Sequence, residues 1–335
     1  MNAAKLLTLC VPGYNVEKYL EQCVGSMAAA DSDALEILIV DDGSTDGTGA
    51  LAQKLQTRHP QSVRYLRKEN GGHGSTINAG IREGTGKYFR VVDGDDWLDT
   101  HSLVLLLKRL GEIDADLVLT QYHKVHDVSG EEFPVTEEGI AFGTLYHFHE
   151  LDVNKQYFSL ASSTFRLDIL KKMNFLIQEK TFYVDVEYII APIPFIETVI
   201  FYDFFLYKYR IGLENQSINL RSYVRLYDHH MRVATRMLDY IYTTPMQEKQ
   251  FLYCKRIMSI IIKTQYVISL KLDRNPIRAL RRLFAFDAFL RNRHRPFYDD
   301  LTGVYITLIR SVGVIATKAA YDAWKIKEIA LGWLR

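Results

Sequence analysis

Short apolar runs alternate with helical patterns along the first 120 residues, and this alternation limits the possible folds more than any other feature of the sequence. Five runs rich in β-branched, leucine and aromatic residues have the length of buried strands, and helical patterns separate them. The runs lie at residues 6–11, 37–40, 63–66, 88–92 and 117–119. Alternation of strand and helix predicts an α/β fold class with a mainly parallel sheet and helices on both faces.

Polar turns follow three of these strands directly. Residues 12–15 are Pro-Gly-Tyr-Asn, residues 41–47 are Asp-Asp-Gly-Ser-Thr-Asp-Gly, and residues 93–96 are Asp-Gly-Asp-Asp. In open α/β sheets, ligands bind outside the carboxyl ends of the strands. The three turns are therefore expected to form one site. Within it, Asp42 is placed to accept the N–H of a pyrimidine base.

The turn at residues 93–96 brings three carboxylates into four positions. Crowded carboxylates repel one another, so a positive charge is expected among them. Mg²⁺ or Mn²⁺ suits such oxygen ligands and also binds substrate phosphates. The alternative is a solvated acidic turn that caps the next helix, because Asp99 and Thr100 are good N-cap residues.

Taken together, these turns resemble family 2 glycosyltransferases. The matching residues are 11–15, 41–46, 70–72 with 78–81, and 93–96, in the family's order and approximate spacing. The resemblance is strong over residues 5–100, moderate over 155–220 and absent beyond 220. It implies a GT-A fold that binds a nucleotide sugar, a DXD metal motif, and inversion at the anomeric carbon.

The resemblance also implies roles for particular residues. The metal ligands would be Asp93, Asp95 and Asp96, binding Mn²⁺ or Mg²⁺. The donor-binding residues would be Pro12, Tyr14, Asn15, Asp42, Asn78, Asp93, Gly94, Asp95 and Arg210. Uridine diphosphate is the expected nucleotide, with guanosine and deoxythymidine donors as alternatives.

Two later segments add to the predicted site. Transfer to a hydroxyl needs a base, and Asp185 occupies the position where the family carries it, although the usual Glu-Asp pair is Val184-Asp185 here. The alternative is that Asp185 caps a helix beginning at Val186. In the segment 207–218, which resembles the family's closing tyrosine/arginine segment, Arg210 or Lys208 would meet the donor diphosphate. The alternative there is an edge strand with solvated basic residues.

The charge of +1 hides a difference between the two parts of the chain. Residues 221–335 hold 21 Lys and Arg against 9 Asp and Glu, and the rest of the chain is acidic. We expect a GT-A domain at 1–220, with nucleotide-sugar binding at 1–100 and the acceptor side at 101–220, followed by a basic helical region at 221–335. Helical patterns at 280–295 and 321–335 combine cations with leucine and aromatic residues, including Trp324 and Trp333. They predict either a packed bundle or contact with an anionic membrane surface.

Several other classes of protein do not fit. No Walker sequence or dinucleotide G-x-G-x-x-G pattern is present, and nothing resembles a base-reading motif for nucleic acid. The Q-x-x-R-W motif of processive synthases is missing. The expectation is transfer of one sugar to a lipid-linked or glycan acceptor, in the cytoplasm or at the inner face of its membrane. A non-catalytic subunit and, more weakly, a nucleotidyltransferase are the alternatives.

Overall fold

The structure is a computed structural model that describes residues 5–213, 220–273 and 275–332. The chain divides into two compact units. The first comprises Met1–Gln216 and Thr244–Tyr253, and the second comprises Ser217–Thr243 and Cys254–Arg335.

The first unit is built on one sheet. Its strands are β1 (Leu7–Gly13), β2 (Leu35–Asp41), β3 (Val63–Arg67), β4 (Tyr88–Val91), β5 (Trp97–Leu98), β6 (Leu117–His126), β7 (Glu132–Val135), β8 (Leu145–His147), β9 (Ser163–Arg166) and β10 (Thr198–Ile211). They lie in the order β3-β2-β1-β4-β9-β6-β10-β5, with β7 beside β6 and β8 beside β10. All five strand runs predicted from the sequence are strands of this sheet.

The first four strands are parallel, as the alternation predicts, but the other side of the sheet is mixed. β9 runs antiparallel to both β4 and β6, whereas β6 and β10 are parallel to each other. The sequence pattern missed β9 because its four residues, Ser-Thr-Phe-Arg, do not form an apolar run. The α/β class is confirmed, and the expected mainly parallel arrangement holds for β1–β4.

Six α-helices within residues 5–213 accompany this sheet. They are α1 (Glu17–Ala28), α2 (Thr48–Arg58), α3 (His73–Glu83), α4 (Thr100–Glu112), α5 (Leu167–Lys172) and α6 (Asp185–Ile190), with 3-10 turns at Phe148–Glu150 and Ile193–Phe195. Leu20 and Met27 of α1 and Leu103 of α4 share a core with Leu9 of β1 and Ile37 of β2, and all five side chains are inaccessible to solvent. Burying each such side chain contributes about 1.5–3 kcal/mol. The strand ends that carry the polar turns are thereby held in place.

The rest of the chain is helical, as predicted. The helices are α7 (Leu220–Arg225), α8 (Tyr227–Thr243), α9 (Glu248–Val267), which continues as a π-helical segment (Ile268–Leu272), α10 (Pro276–Arg293), α11 (Arg295–Asp300) and α12 (Val304–Gly332), interrupted at Gly313. In α10, Leu283, Phe286 and Leu290 are buried, so part of the predicted amphipathic stripe is core. The side chain of Trp324, and all of Trp333, lie outside the described residues.

The three cysteines, Cys10, Cys23 and Cys254, are free and buried. Within the described ranges, no helix has the length and apolarity needed to cross a membrane.

Candidate active site

The acidic turn lies at the end of β4, in the middle of the sheet edge. Gly94 permits its tight course: a Cβ there would lie 2.8 Å from the carbonyl oxygen of Pro12, which accepts a hydrogen bond from the Gly94 N–H. The turn is thus fixed against the end of β1. Asp99, further along, caps α4 by accepting from the Ser102 N–H at 2.8 Å. The cap of α4 is therefore Asp99, and none of the carboxylates at 93–96 caps this helix.

The three carboxylates of the turn have different surroundings. Asp96 is buried, and its two oxygens accept hydrogen bonds from the Tyr207 hydroxyl at 2.6 Å and the Arg210 N–H at 2.7 Å. Burial, and then Asp95 and Asp93, raise the pKa of Asp96 well above its ordinary value. Both oxygens of Asp96 are engaged in supporting the turn, so its predicted role as a metal ligand gains no support from this geometry.

Asp93 and Asp95 are the more accessible pair. The side chain of Asp93 is 32% exposed, and its Oδ1 lies 2.9 Å from Nε2 of His73. Burial and the neighbouring Asp93 raise the pKa of Asp95 to about 6. Because Asp93 raises the pKa of Asp95, the two negative charges repel each other, and a nearby cation would relieve that repulsion.

His73, which the sequence analysis overlooked, supplies part of the positive charge beside these carboxylates. Burial alone would lower the pKa of His73, but Asp93, Asp185 and Asp95 outweigh that effect and hold the pKa above its ordinary value. His73 is the first residue of α3 and follows two glycines. The signal in the sequence is the Gly-Gly-His-Gly stretch at 71–74, of which only the two glycines belong to the segment 70–72 that resembles the family.

The carboxylates of Asp93 and Asp95 are the oxygen ligands that Mg²⁺ and Mn²⁺ prefer. Among the residues that the structure describes, no three His, Cys, Asp or Glu side chains are grouped as a ligand set. Mg²⁺ commonly takes only one or two carboxylates and completes its shell with water and phosphate oxygens. Asp93 and Asp95 are suited to that mode of binding, in which the substrate brings part of the coordination shell.

A cavity of about 340 Å³ opens beside this turn. It is lined by Pro12, Gly13, Tyr14, Asp42, Asn70, Gly72, His73, Thr76, Lys180, Thr181 and Phe182. The structure thus brings Pro12, Tyr14 and Asp42 together, as the sequence predicted. Asn15 stands next to them with φ 55° and binds the 44–45 turn through its backbone N–H and its Oδ1.

Asp42 accepts several hydrogen bonds from within the protein. It accepts hydrogen bonds from Lys68 Nζ at 2.8 Å and from the backbone N–H groups of Gly71 and Gly72 at 2.9 and 2.7 Å. Ser75 adds a fourth contact at 3.2 Å. Asp42 therefore holds the glycine turn in place from the end of β2. Its predicted contact with a base is neither required nor prevented by these bonds.

One wall of the cavity is the segment that precedes α6. The amide of Asn78 holds this segment through paired hydrogen bonds with the backbone of Ile177, at 2.9 and 3.0 Å. Glu187, which is buried, accepts from the Gln178 N–H at 2.7 Å. The Lys180 N–H donates to the Gly71 carbonyl at 2.5 Å. Asn78 does not line the cavity, so the structure gives it a supporting role rather than the predicted donor contact.

Asp185 is the first residue of α6, and Val184 is the N-cap. The capping alternative, which required a helix beginning at Val186, is therefore wrong. Desolvation by the surrounding protein raises the pKa of Asp185, although its side chain is exposed; His73 opposes this rise and Asp93 adds to it. Asp185 thus interacts electrostatically with the acidic turn and with His73, and its role as the base stays a prediction.

Arg210 lies next to the turn but is committed to the protein. It is 8% exposed, and its guanidinium donates to the Asp95 carbonyl at 2.7 Å, to Asp127 at 2.6 Å and to Gln22 at 2.7 Å. Because β10 is flanked by neighbouring strands, the alternative of a solvated edge strand is wrong. The predicted contact of Arg210 with a diphosphate gains no support, since each of its nitrogen atoms already has an acceptor.

A parallel β3-β2-β1-β4 sheet with an acidic turn after β4 and a polar cavity at its edge is the arrangement of the GT-A fold. The solved structure of residues 1–349 of TarS from S. aureus, in complex with UDP-GlcNAc, has this fold and superposes with a TM-score of 0.66. It is 17% identical, and the match covers 96% of this chain and 92% of TarS 1–349. The mannosyltransferase PcManGT from Pyrobaculum calidifontis, in complex with GDP-Man and Mn²⁺, gives a TM-score of 0.53 at 15% identity, over 95% of this chain and 87% of PcManGT.

The sequence comparisons agree with the fold. Residues 8–173 match the model of glycosyl transferase family 2. Glycosyltransferase GlyG of Streptococcus pneumoniae serotype 4 is 34% identical over 146 residues, which cover 41% of this chain and 48% of GlyG. Glycosyltransferase GlyA of the same organism is 32% identical over 124 residues, 37% of this chain and 18% of GlyA. The matches thus span less than half the length of these relatives, and the chain carries a glycosyl transferase family 2 domain with a GT-A fold.

Proposed function

We propose that this chain transfers a single sugar from a nucleotide diphosphate sugar to a hydroxyl of a lipid-linked or glycan acceptor, with inversion. The observation that carries the proposal is the cavity built from the turns after β1 and β2, which His73 lines while bound to Asp93 at 2.9 Å, together with the electrostatic interaction of Asp185 with both residues. TarS in complex with UDP-GlcNAc supports a uridine nucleotide as the first choice. Hyaluronan synthase of Pasteurella multocida, 36% identical over 108 residues (32% of this chain and 11% of that synthase), supports a role in glycan assembly.

The chain's own residues account for the steps of the transfer. Asp185 accepts the proton of the acceptor hydroxyl as that oxygen bonds to the anomeric carbon, and the raised pKa of its carboxyl favours this role. The bond from the anomeric carbon to the phosphate oxygen breaks on the opposite face, and its electron pair leaves with the nucleoside diphosphate. One displacement of this kind inverts the configuration.

The leaving diphosphate carries negative charge, and two cationic side chains line the cavity to meet it. They are His73 and Lys180, since Lys68 is bound to Asp42 and Arg210 to other acceptors. Mn²⁺ or Mg²⁺ held by Asp93 and Asp95 would supply further charge neutralisation to the phosphate oxygens. The pair His73 and Lys180 takes the place that the sequence analysis gave to Arg210 or Lys208, since Lys208 is bound to Glu132.

Thermal-shift measurements with nucleoside diphosphates test this proposal against a non-catalytic role. Uridine, guanosine and deoxythymidine diphosphates are each added with and without Mn²⁺. A ligand that binds only the native state at 100 times its Kd stabilises by about 2.7 kcal/mol, so binding gives a clear rise in melting temperature. We expect one nucleotide to stabilise the chain in a metal-dependent way. No response to any nucleotide would favour the non-catalytic subunit.

For localisation, we propose that the chain works at the inner face of a membrane, drawn there by the basic residues of 221–335. Each Lys or Arg near an anionic surface contributes roughly 1 kcal/mol.

A further inference from the structure

Helix α6 carries two acidic side chains on opposite sides. Asp185 and Glu187 are two positions apart, and residues at that spacing do not share a face of a helix. Asp185 is exposed, whereas Glu187 is fully buried. A buried carboxylate needs hydrogen-bond donors, because it loses its hydration. The donors that bind Glu187 therefore show what this helix is attached to.

Gln178 supplies two of these donors. Its backbone N–H donates to one carboxylate oxygen of Glu187 at 2.7 Å, and its side-chain amide donates to the other oxygen. One residue thus holds both oxygens of the carboxylate, and this fixes the orientation of the Glu187 side chain. The Gln178–Glu187 pair ties the helix that carries Asp185 to the segment before it.

That segment is fixed, in turn, on helix α3. The amide of Asn78 is paired with the backbone of Ile177 at 2.9 and 3.0 Å. A Cβ on Gly74 would collide with the Gln178 carbonyl oxygen, so this part of the segment packs directly on the first turn of α3. His73 begins the same turn. The Gln178–Glu187 pair therefore joins the helix of Asp185 to the helix of His73.

The backbone between Gln178 and Glu187 adopts conformations that are unfavourable by themselves. Lys180 has a φ of 50° and Tyr183 a φ of 66°, although neither is glycine. Residues with side chains seldom adopt this region, and such conformations persist only where surrounding contacts impose them. The Gln178–Glu187 bonds close the loop that contains both residues. Breaking these bonds should allow the loop to relax and α6 to move.

Asp185 and His73 interact electrostatically across this link. Desolvation raises the pKa of Asp185, and His73 is the largest influence that opposes the rise. Burial lowers the pKa of His73, and Asp185 is one of the carboxylates that raise it. Because such interactions weaken with distance, they depend on where α6 holds Asp185.

We propose that Glu187 is a positioning residue, which through Gln178 holds Asp185 where it can take the proton of the acceptor hydroxyl. This inference rests on the proposed function, in which Asp185 is the base, and extends it to two residues that do not line the donor cavity. A displacement of about 1 Å can cost a catalytic group about 10²-fold in rate, so a pair that fixes α6 should affect turnover strongly.

An exchange of the two side chains tests this role in the full chain. Gln178→Glu sets a second carboxylate against the buried one, and the two charges repel each other. The double variant, Gln178→Glu with Glu187→Gln, restores both hydrogen bonds with the polarity reversed. Its introduced amide can accept from the backbone N–H at position 178 and donate to the introduced carboxylate. The double variant also has the same net charge as the wild type.

We expect Gln178→Glu to lower kcat by about ten- to hundredfold, with the nucleotide sugar that the wild type consumes as donor. The donor KM should change by less than about twofold, because Asn78 and the Lys180 N–H still hold the wall of the cavity. The double variant should return kcat to near the wild-type value. Asn174→Asp is the control: it adds the same charge to the same segment, at an exposed position whose φ of 47° Asp also tolerates, and it should match the wild type.

Melting temperatures accompany the kinetics, because a loss of stability alone would lower the melting temperature and leave the kcat of the folded chain unchanged. If Gln178→Glu does not fold, Gln178→Leu removes the side-chain bond without adding a charge and should show the same fall in kcat at constant KM. Wild-type kcat in the folded single variant, or a double variant as slow as Gln178→Glu, overturns this inference alone. A wild type that consumes no nucleotide sugar overturns the proposed function instead.

Discussion

Without a bound metal ion, the charge of Asp95 should lower the stability of the folded protein, and replacing Asp95 by Asn should show the size of this effect. The folded-state pKa of Asp95 is about 6, against 3.8 for an ordinary aspartate. The native state therefore holds this proton more tightly than the unfolded chain does, so the stabilisation due to the protonated form is complete below pH 3.8. It is lost as the pH rises through 6.

The size of the effect follows from the shift. One pKa unit corresponds to 1.36 kcal/mol, so a rise of about two units means that ionising Asp95 costs about 3 kcal/mol of stability. This value is an upper bound, because Asp95 is only partly buried and solvent screens its charge. Asn is neutral at every pH. Asp95→Asn should therefore match the wild type near pH 4 and become more stable than it by up to about 3 kcal/mol above pH 7.

Melting temperatures measured from pH 4 to pH 8 without divalent ions check this expectation, at roughly 2–4 °C for each kcal/mol. Asp99→Asn is the matched control, because Asn caps a helix as well as Asp and the substitution also removes one charge. Added Mn²⁺ should stabilise the wild type and leave Asp95→Asn unchanged. A gain that does not depend on pH, or a loss of stability above pH 7, would refute the argument that Asp95 bears an uncompensated charge.

Other substitutions test other parts of the account. Lys180→Gln should weaken binding of the preferred nucleoside diphosphate by roughly tenfold, about 1.4 kcal/mol, and leave the nucleoside unchanged in calorimetry, whereas Lys172→Gln outside the cavity should change neither. Gly94→Ala should lower the free energy of unfolding by about 1–3 kcal/mol in denaturant titrations, since the new Cβ would lie 2.8 Å from the Pro12 carbonyl; Gly111→Ala, whose nearest neighbour would lie 3.9 Å away, should not lower it. The full chain should sediment with anionic vesicles at low salt and not at high salt, because a Debye length of about 8 Å limits the attraction; indifference to anionic vesicles at low salt would contradict the proposed membrane recruitment.

Local patterns predicted the first half of the sheet and the place of the site. Apolar runs ending in polar turns are visible in sequence, and the carboxyl ends of parallel strands necessarily meet at one edge. β9 was missed because it is short and lacks an apolar run. Its antiparallel pairing with β4 and β6, together with the antiparallel strands β5, β7 and β8, makes the other side of the sheet mixed.

Long-range contacts decide the roles of individual residues, and the sequence does not display them. Asp42, Asn78 and Arg210 were all predicted to contact the donor, yet each is held by groups distant in sequence: Gly71 and Gly72, Ile177, and Asp127. His73 went unrecognised for the same reason, since its importance depends on Asp93, twenty residues away. The type of a residue indicates which ligand it can bind, but whether its side chain is free to do so depends on the hydrogen bonds that it makes in the folded protein.

Turnover of nucleotide sugars by the wild type and by Asp185→Asn tests the central claim most directly. General bases typically contribute about 10²–10⁴-fold to a rate, so Asp185→Asn should lower kcat by that factor while the Kd for the nucleoside diphosphate stays near the wild-type value. Asp168→Asn on the surface of α5 is the matched control and should keep full activity. Full turnover by Asp185→Asn would remove Asp185 from the mechanism, and a wild type that consumes no nucleotide sugar would contradict the account as a whole.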